Sequence, residues 1–165
     1  MKMKKIILLS LAFATITTYF ILKMMKSKNA FENMMKTAQL TDLNQNKLDL
    51  AKLEGKVFVI SFFQTWCGDC VRENPELKKL QEEFDSTKFQ VLLVSDESVE
   101  KLNLFNERFQ SGLKIYQSSV ALKDLGVSRF PTTFLIDKKG NTLIHKVEGI
   151  HWYTPEIIEQ IKTHL

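Results

Sequence analysis

The sequence predicts an α/β sandwich built on a mixed sheet, and three observations carry that prediction. "VFVISFF", Val57 to Phe63, and "FQVLLVS", Phe89 to Ser95, are uninterrupted β-branched and aromatic runs, the pattern of strands covered on both faces. Between them, Leu77, Leu80 and Phe84 recur at helical spacing opposite Lys78, Lys79, Glu82 and Glu83. A strand, helix and strand in that order make a right-handed crossover with parallel strands. Farther on, "TTFLID", Thr132 to Asp137, and "NTLIHKVEG", Asn141 to Gly149, are joined through "KKG", a hairpin signal that adds antiparallel pairing.

The chain has 165 residues, 44% of them hydrophobic and 25% charged, an ordinary composition for one domain with a full core. Its net charge of +4 is misleading. Lys2, Lys4, Lys5, Lys23, Lys26 and Lys28 all precede Asn29 with no acid among them, so the rest of the chain is slightly acidic. No nucleic-acid footprint follows. Ile6 to Leu22, "IILLSLAFATITTYFIL", is uncharged and bracketed by those lysines, at the lower end of the length that crosses a bilayer as a helix. A cleaved secretory signal is the rival reading, but the apolar region is long and no A-x-A-like site follows it. With three lysines on each side, the positive-inside rule does not orient the run; the pattern of signal-like segments favours a cytoplasmic N-terminus. Residues 1–28 are thus expected to be a membrane anchor or signal-like segment, 29–38 a spacer, and 39–165 the folded domain.

Within that domain, "AQLTDLNQNKLDLAKLEGK" suggests a small hairpin around an Asn/Gln-rich turn ahead of Gly55. The helix from Asp69 to about Phe84 carries Pro75, which should kink or break its first turns. Leu102, Phe105 and Phe109 mark a second helix, "LKIY" a short strand, and Val120 to Leu125 a helical turn stopped by Gly126. Thr154 and Pro155 read as the N-cap and first residue of a closing helix whose buried stripe is Ile157, Ile158, Ile161 and Leu165.

Both cysteines of the chain stand in "QTWCGDCVRENPEL", three positions apart. A disulfide that staples a fold gains more from closing a long loop, so this pair is poorly explained as a staple. A structural zinc site needs about four ligands. His145, His151 and His164 lie far downstream without a paired spacing, so no metal is expected. A redox dithiol at a strand-to-helix junction remains. There the unsatisfied N–H groups and the helix dipole favour a thiolate at Cys67, which makes it the attacking sulfur. Cys70, one turn on and more shielded, would resolve the mixed disulfide.

"FFQTWCGDCVRENPEL" together with "VSRFPTTFLIDKKGN" resembles the thioredoxin superfamily, and the N-terminal run makes the membrane-anchored TlpA/ResA-like thiol-disulfide oxidoreductases the nearest likeness. The resemblance extends from about Gln39 to the C-terminus. It implies a thioredoxin-like three-layer sandwich with a mixed central sheet, preceded by an N-terminal membrane helix. It also implies that the Phe130–Pro131 bond is the superfamily's cis-proline bond beside the dithiol, with the backbone of Phe130 offered to a substrate segment. Thioredoxins carry a buried acid six positions before the first cysteine, where this chain has Ser61. TlpA/ResA-like proteins often have a glutamate three residues after the second cysteine, and Glu73 stands there. Its implied role is to take the proton of the resolving thiol, with partial burial raising its pKa; the alternative is a solvated helix glutamate. Asp69 departs from the pattern, since many relatives have proline there, and its charge should temper the acidity of Cys67. Trp66 is expected either at the rim of the substrate groove or packed on the helix. His151 and Trp152 are further rim candidates with no chemistry of their own.

The function implied is exchange of disulfides with protein substrates that carry cysteine pairs, outside the cytoplasm and with no cofactor beyond the redox-active Cys67–Cys70 disulfide. The likeness favours the reducing direction, with electrons from a membrane-embedded thiol-disulfide donor and apocytochrome c among the acceptors, as in cytochrome c maturation. It implies a bacterial cytoplasmic membrane protein whose catalytic domain faces the periplasm or cell exterior. Two other readings stay open: a non-catalytic thioredoxin-fold binding module or chaperone, and a peroxide-reducing redoxin. The latter family typically has a threonine-proline run before its cysteine, which this chain lacks.

Overall fold

The run from Val57 to Phe62 becomes the central strand, because its residues alternate between two separate apolar cores. Val57 and Val59 face one, Phe58, Ile60 and Phe62 the other, and all are buried. A computed structural model describes residues 2–165, and the side chains of residues 13–23 and 30–165 among them. The chain runs α1 (Lys2–Ala38), β1 (Thr41–Asp42), β2 (Val57–Phe62), α2 (Gly68–Glu83), β3 (Phe89–Ser95), α3 (Val99–Phe109), β4 (Lys114–Gln117), β5 (Thr132–Ile136), β6 (Thr142–Val147) and α4 (Pro155–His164), with short 3-10 turns at Leu50–Leu53 and Leu122–Leu125. The six strands lie in the order β1-β4-β3-β2-β5-β6. β2 pairs parallel with β3 and antiparallel with β5, so the expected mixed sheet forms, with Ser61 opposite Thr133. β1 is a two-residue edge, and β6 at the other edge pairs with β5 through a register irregularity at Leu135/Ile136.

One core lies between the sheet and α2, α3 and α4, and includes both cysteines. The other lies under the C-terminal part of α1 and the 3-10 turns. Thr154 caps α4 by accepting the Ile157 N–H, as its sequence predicts. The KKG hairpin also forms, with the Asp137 carboxylate accepting the N–H groups of Lys139 and Asn141.

Several elements differ from expectation. The stretch 29–38, expected to be a spacer, is the end of α1, and its Phe31, Met35 and Ala38 are buried against the sheet. The helix end is built into the domain: the Ala38 carbonyl accepts the Ser119 N–H at 2.9 Å and the Ser118 hydroxyl at 3.3 Å. The proposed hairpin before Gly55 shrinks to a single bridge, Thr41 to Lys47, because Asp42 turns the chain by accepting the N–H groups of Asn44 and Asn46. α2 runs unbroken through Pro75. Residues 6–12 of the apolar run fall outside the described side chains. Among the described residues no helix is long and apolar enough to cross a membrane. Phe13, Ile16, Tyr19, Phe20, Ile21 and Leu22 of that run are between 57% and 71% exposed.

Candidate active site

The dithiol sits where β2 hands the chain to α2, and two acids at the end of β3 fix the loop between them. The Asp96 carboxylate accepts the Gln64 side-chain N–H at 2.6 Å and the Leu122 N–H at 2.8 Å. Glu97 accepts the Thr65 N–H at 2.6 Å and the Thr65 hydroxyl at 3.0 Å. Trp66 and Cys67 therefore follow a loop tied at two consecutive residues. Cys67 is the N-cap of α2, in an extended conformation, and its Sγ accepts the Cys70 N–H at 3.1 Å. The first sulfur thus occupies the position where a helix terminus stabilises negative charge.

The two sulfurs are joined in a disulfide. The expected contrast in shielding is small, with Cys67 6% and Cys70 5% exposed. What distinguishes them is hydrogen bonding and place on the helix. Next to Cys67 in the chain, Trp66 is 72% exposed and meets Phe130 edge-on with centroids 6.1 Å apart, which makes a rim of two aromatic rings. The Phe130–Pro131 bond is cis, and Phe130 packs against the core cluster that holds both cysteines. The Pro131 carbonyl is engaged by the Glu148 N–H at 2.8 Å.

Glu73 is buried, not a solvated helix glutamate, at 4% exposure. It reaches from α2 onto the sheet, where Ser61 Oγ donates to its Oε2 at 3.2 Å and Thr133 Oγ1 to the same oxygen at 3.3 Å. The Trp152 indole N–H donates to Oε1. The carboxyl is thereby held against Ser61, on the strand where thioredoxins carry their acid, with a serine below it as a donor. Burial pushes the Glu73 pKa up to about 7, against the pull of the Trp152, Ser61 and Thr133 bonds that favour the ionised form. It lies one helical turn from Cys70 and on the same buried side of α2.

Asp69 lies in the first turn of α2 and is half-exposed, and the Arg72 guanidinium pairs with it. The charge expected to temper Cys67 therefore carries its own counter-charge. Gly149 stands opposite, where a Cβ would sit 3.5 Å from the Asp69 Cβ. A cleft of about 290 Å³ opens here between Asp69, Arg72, Glu73, Glu76, Gly149, Ile150 and His151. A larger cleft of about 550 Å³ lies on the α1 side of the sheet, lined by Phe31, Met35, Leu53 and Phe58, and includes no residue of the dithiol neighbourhood.

Sequence reasoning missed several contributors. Trp152 is fully buried, so it is no rim residue; its ring closes the core over Glu73. Thr133, Asp96, Glu97 and Glu76 carry no local signature, because register and long-range loops bring them in. His151 is exposed and pairs with Glu76. Asn74 Oδ1 is the buried side-chain acceptor left without a partner among the described residues. Among those residues no three His, Cys, Asp or Glu side chains converge as a metal site would require.

Residues 31–143 match the AhpC/TSA family. The chain belongs to that family. As an AhpC/TSA chain of thioredoxin fold, it is 29% identical over 113 residues to the thiol-disulfide oxidoreductase ResA of Bacillus thuringiensis subsp. konkukian, a match covering 67% of this chain and 65% of that relative. It is 36% identical over 107 residues to the ResA of Geobacillus kaustophilus, covering 61% of this chain and 60% of the relative. The match thus spans less than two thirds of the length of these curated relatives. In fold, it is similar to the thioredoxin domain of a thiol-disulfide oxidoreductase from Bacteroides vulgatus, with a TM-score of 0.62 at 21% identity, covering 77% of this chain and 94% of that one.

Proposed function

We propose that this protein is a thiol-disulfide oxidoreductase that exchanges disulfides with protein substrates through Cys67 and Cys70, acting as a reductase outside the cytoplasm. The observation that carries the reading is the cysteine pair at the N-terminus of α2, flanked on one side by the Trp66–Phe130 rim and on the other by buried Glu73. In the reduced protein the Cys67 thiolate attacks a substrate disulfide; one S–S bond breaks, a mixed disulfide forms, and the departing substrate sulfur takes up a proton. The Cys70 thiol then passes its proton to Glu73 and attacks the Cys67 sulfur. The second substrate sulfur leaves as a thiolate and takes that proton back from Glu73, and the protein ends as the Cys67–Cys70 disulfide. Two electrons have moved to the substrate with two protons, one from solvent in the first step and one from Cys70 by way of Glu73, and no cofactor beyond the cysteine pair enters the balance.

Support for a membrane anchor comes from the uncharged run Ile6 to Leu22 and from the exposed apolar side chains of its described part. An anchored domain beyond the bacterial cytoplasmic membrane needs its disulfide re-reduced there, which a membrane-embedded thiol donor would supply. The direction of flow and an apocytochrome c substrate rest on the likeness to ResA-named relatives.

The test is reduction of insulin disulfides by the full-length chain in detergent micelles, with dithiothreitol as electron source. Turnover that disappears in Cys67→Ser is the expected result. Absence of turnover in the wild-type chain would leave a binding module, and peroxide consumption in its place would leave a redoxin. Cys70→Ser, which stops the second step, should accumulate mixed disulfides whose partners identify the substrates.

A further inference from the structure

Glu73 meets solvent through the cleft beside the dithiol. One wall of that cleft is α2, with Asp69, Arg72 and Glu76; the other is the irregular segment after β6, with Gly149, Ile150 and His151. The charged and titratable groups around Glu73 are therefore Asp69, Cys70, Arg72 and Glu76 of its own helix and His151 across the cleft. The strands β2 and β5 present only the hydroxyls of Ser61 and Thr133.

Glu76 lies one turn beyond Glu73, and its carboxylate is taken up entirely by consecutive residues of the far wall. Oε1 lies 2.8 Å from His151 Nδ1, while Oε2 accepts the Trp152 N–H at 2.5 Å and the Tyr153 N–H at 3.3 Å. Burial alone would raise its pKa, but these bonds outweigh it and hold Glu76 below the usual carboxylate range, so it is an anion at neutral pH. The residue in the middle of the fastened segment is Trp152, which is fully buried and donates its indole N–H to Glu73. Two glutamates one turn apart thus grip the same segment, Glu76 through the His151 ring and the Trp152 and Tyr153 N–H groups, Glu73 through the Trp152 indole and the Ile150 backbone N–H.

We propose that Glu76 and His151 are positioning residues for Glu73: together they latch the 149–153 segment onto α2 and keep water off the Glu73 carboxyl. This rests on Glu73 serving the dithiol, as in the function proposed above. Burial is the largest influence on Glu73, so a latch that controls its hydration controls its titration. Opening the segment would hydrate the carboxyl and make it more acidic, and more of the chain's Glu73 would already be ionised below neutral pH.

The experiment is carboxyl-carbon NMR of Glu73 in the oxidised, full-length chain in detergent micelles, where neither cysteine titrates, comparing wild type with His151→Ala. The His151 side chain is 89% exposed, so the substitution leaves the core intact. The Glu73 midpoint is expected to fall by about one pH unit, and the Trp152 indole proton to exchange about tenfold faster. A merely electrostatic role predicts the opposite sign, because removing a group that is cationic when protonated favours the neutral acid. A midpoint that rises or stays put overturns the latch. A midpoint that falls in a chain without insulin-disulfide turnover would uphold the latch and remove the oxidoreductase reading; turnover with an unmoved midpoint would do the reverse.

Discussion

The two faces of the central sheet each carry an apolar core and do different things. On the α1 face, Phe58, Ile60 and Phe62 of β2 meet Phe31, Leu92, Val94 and Leu122, and the core is almost purely apolar. On the α2 face the same strand contributes Val57 and Val59, followed by Phe63 just past its end, but Ser61 interrupts them and joins Thr133, Trp152 and Glu73 in a buried polar knot beside the cysteines. An apolar face packs by shape, whereas the knot holds only because each polar atom finds a donor or acceptor. The difference teaches where this chain gives up stability for chemistry: a carboxyl that could ionise more freely in water is kept dry on one side of the sheet alone.

The sharpest way to break the comparison is to injure each face separately. Cys67→Ser should abolish insulin-disulfide turnover while leaving the thermal midpoint near that of the reduced wild type. Leu122→Ala, a fully buried truncation on the α1 face, should cost about 2 to 5 kcal/mol in denaturant melts yet preserve turnover per folded molecule. Loss of turnover in the second variant would show that the faces are not independent.

Glu73→Gln comes next. Removing the proton acceptor should lower turnover at pH 7 by about 10²-fold and flatten the rise with pH expected of the wild type as Glu73 ionises near pH 7. Stability should move the other way. Because the folded-state pKa is raised from 4.5 to about 7, the native protein binds the extra proton and loses stability as pH climbs across that interval, levelling off above it. At about 1.4 kcal/mol per pH unit the penalty approaches about 3 kcal/mol, so Glu73→Gln should be more stable than wild type at pH 8 and indistinguishable from it at pH 4. Chemical denaturation at the two pH values checks this.

The sheet and the dithiol were legible in the sequence, while most of the knot was not. β2 and β3 announce themselves because strands apolar on both faces leave little alternative, and the cysteine spacing is local. Glu73 was reachable only through family likeness, since its own neighbourhood reads as a charged helix. Its donors come from a register pair 72 residues away from Ser61 and from a loop after the last strand, which no local pattern encodes. The stretch 29–38 did carry a signal: Phe31, Met35 and Ala38 recur at helical spacing, but beside so many lysines the composition looked like a linker. Glu76 looked like one more solvated helix acid because its partners lie beyond β6.

Smaller effects probe the rim. Trp66 is held by one edge contact to Phe130 and is otherwise in solvent, so Trp66→Ala should lower kcat/KM for a protein disulfide by about tenfold with no change in melting. Least of all, Asp69→Asn should depress the Cys67 thiol pKa only slightly, because Arg72 already balances the charge it removes; ultraviolet thiolate titration of the reduced chain reads it. A Cys67 pKa that stays put or rises would take Asp69 out of the account of the dithiol.

The margins of the sheet carry a consequence for how copies of this molecule meet one another. An open row of backbone donors and acceptors invites another copy to zip on. Here one margin is only two residues long, and the other turns at an irregularity and holds Lys146 out to water. Neighbouring copies therefore find no straight strand to extend, and high local density need not lead to fibrils.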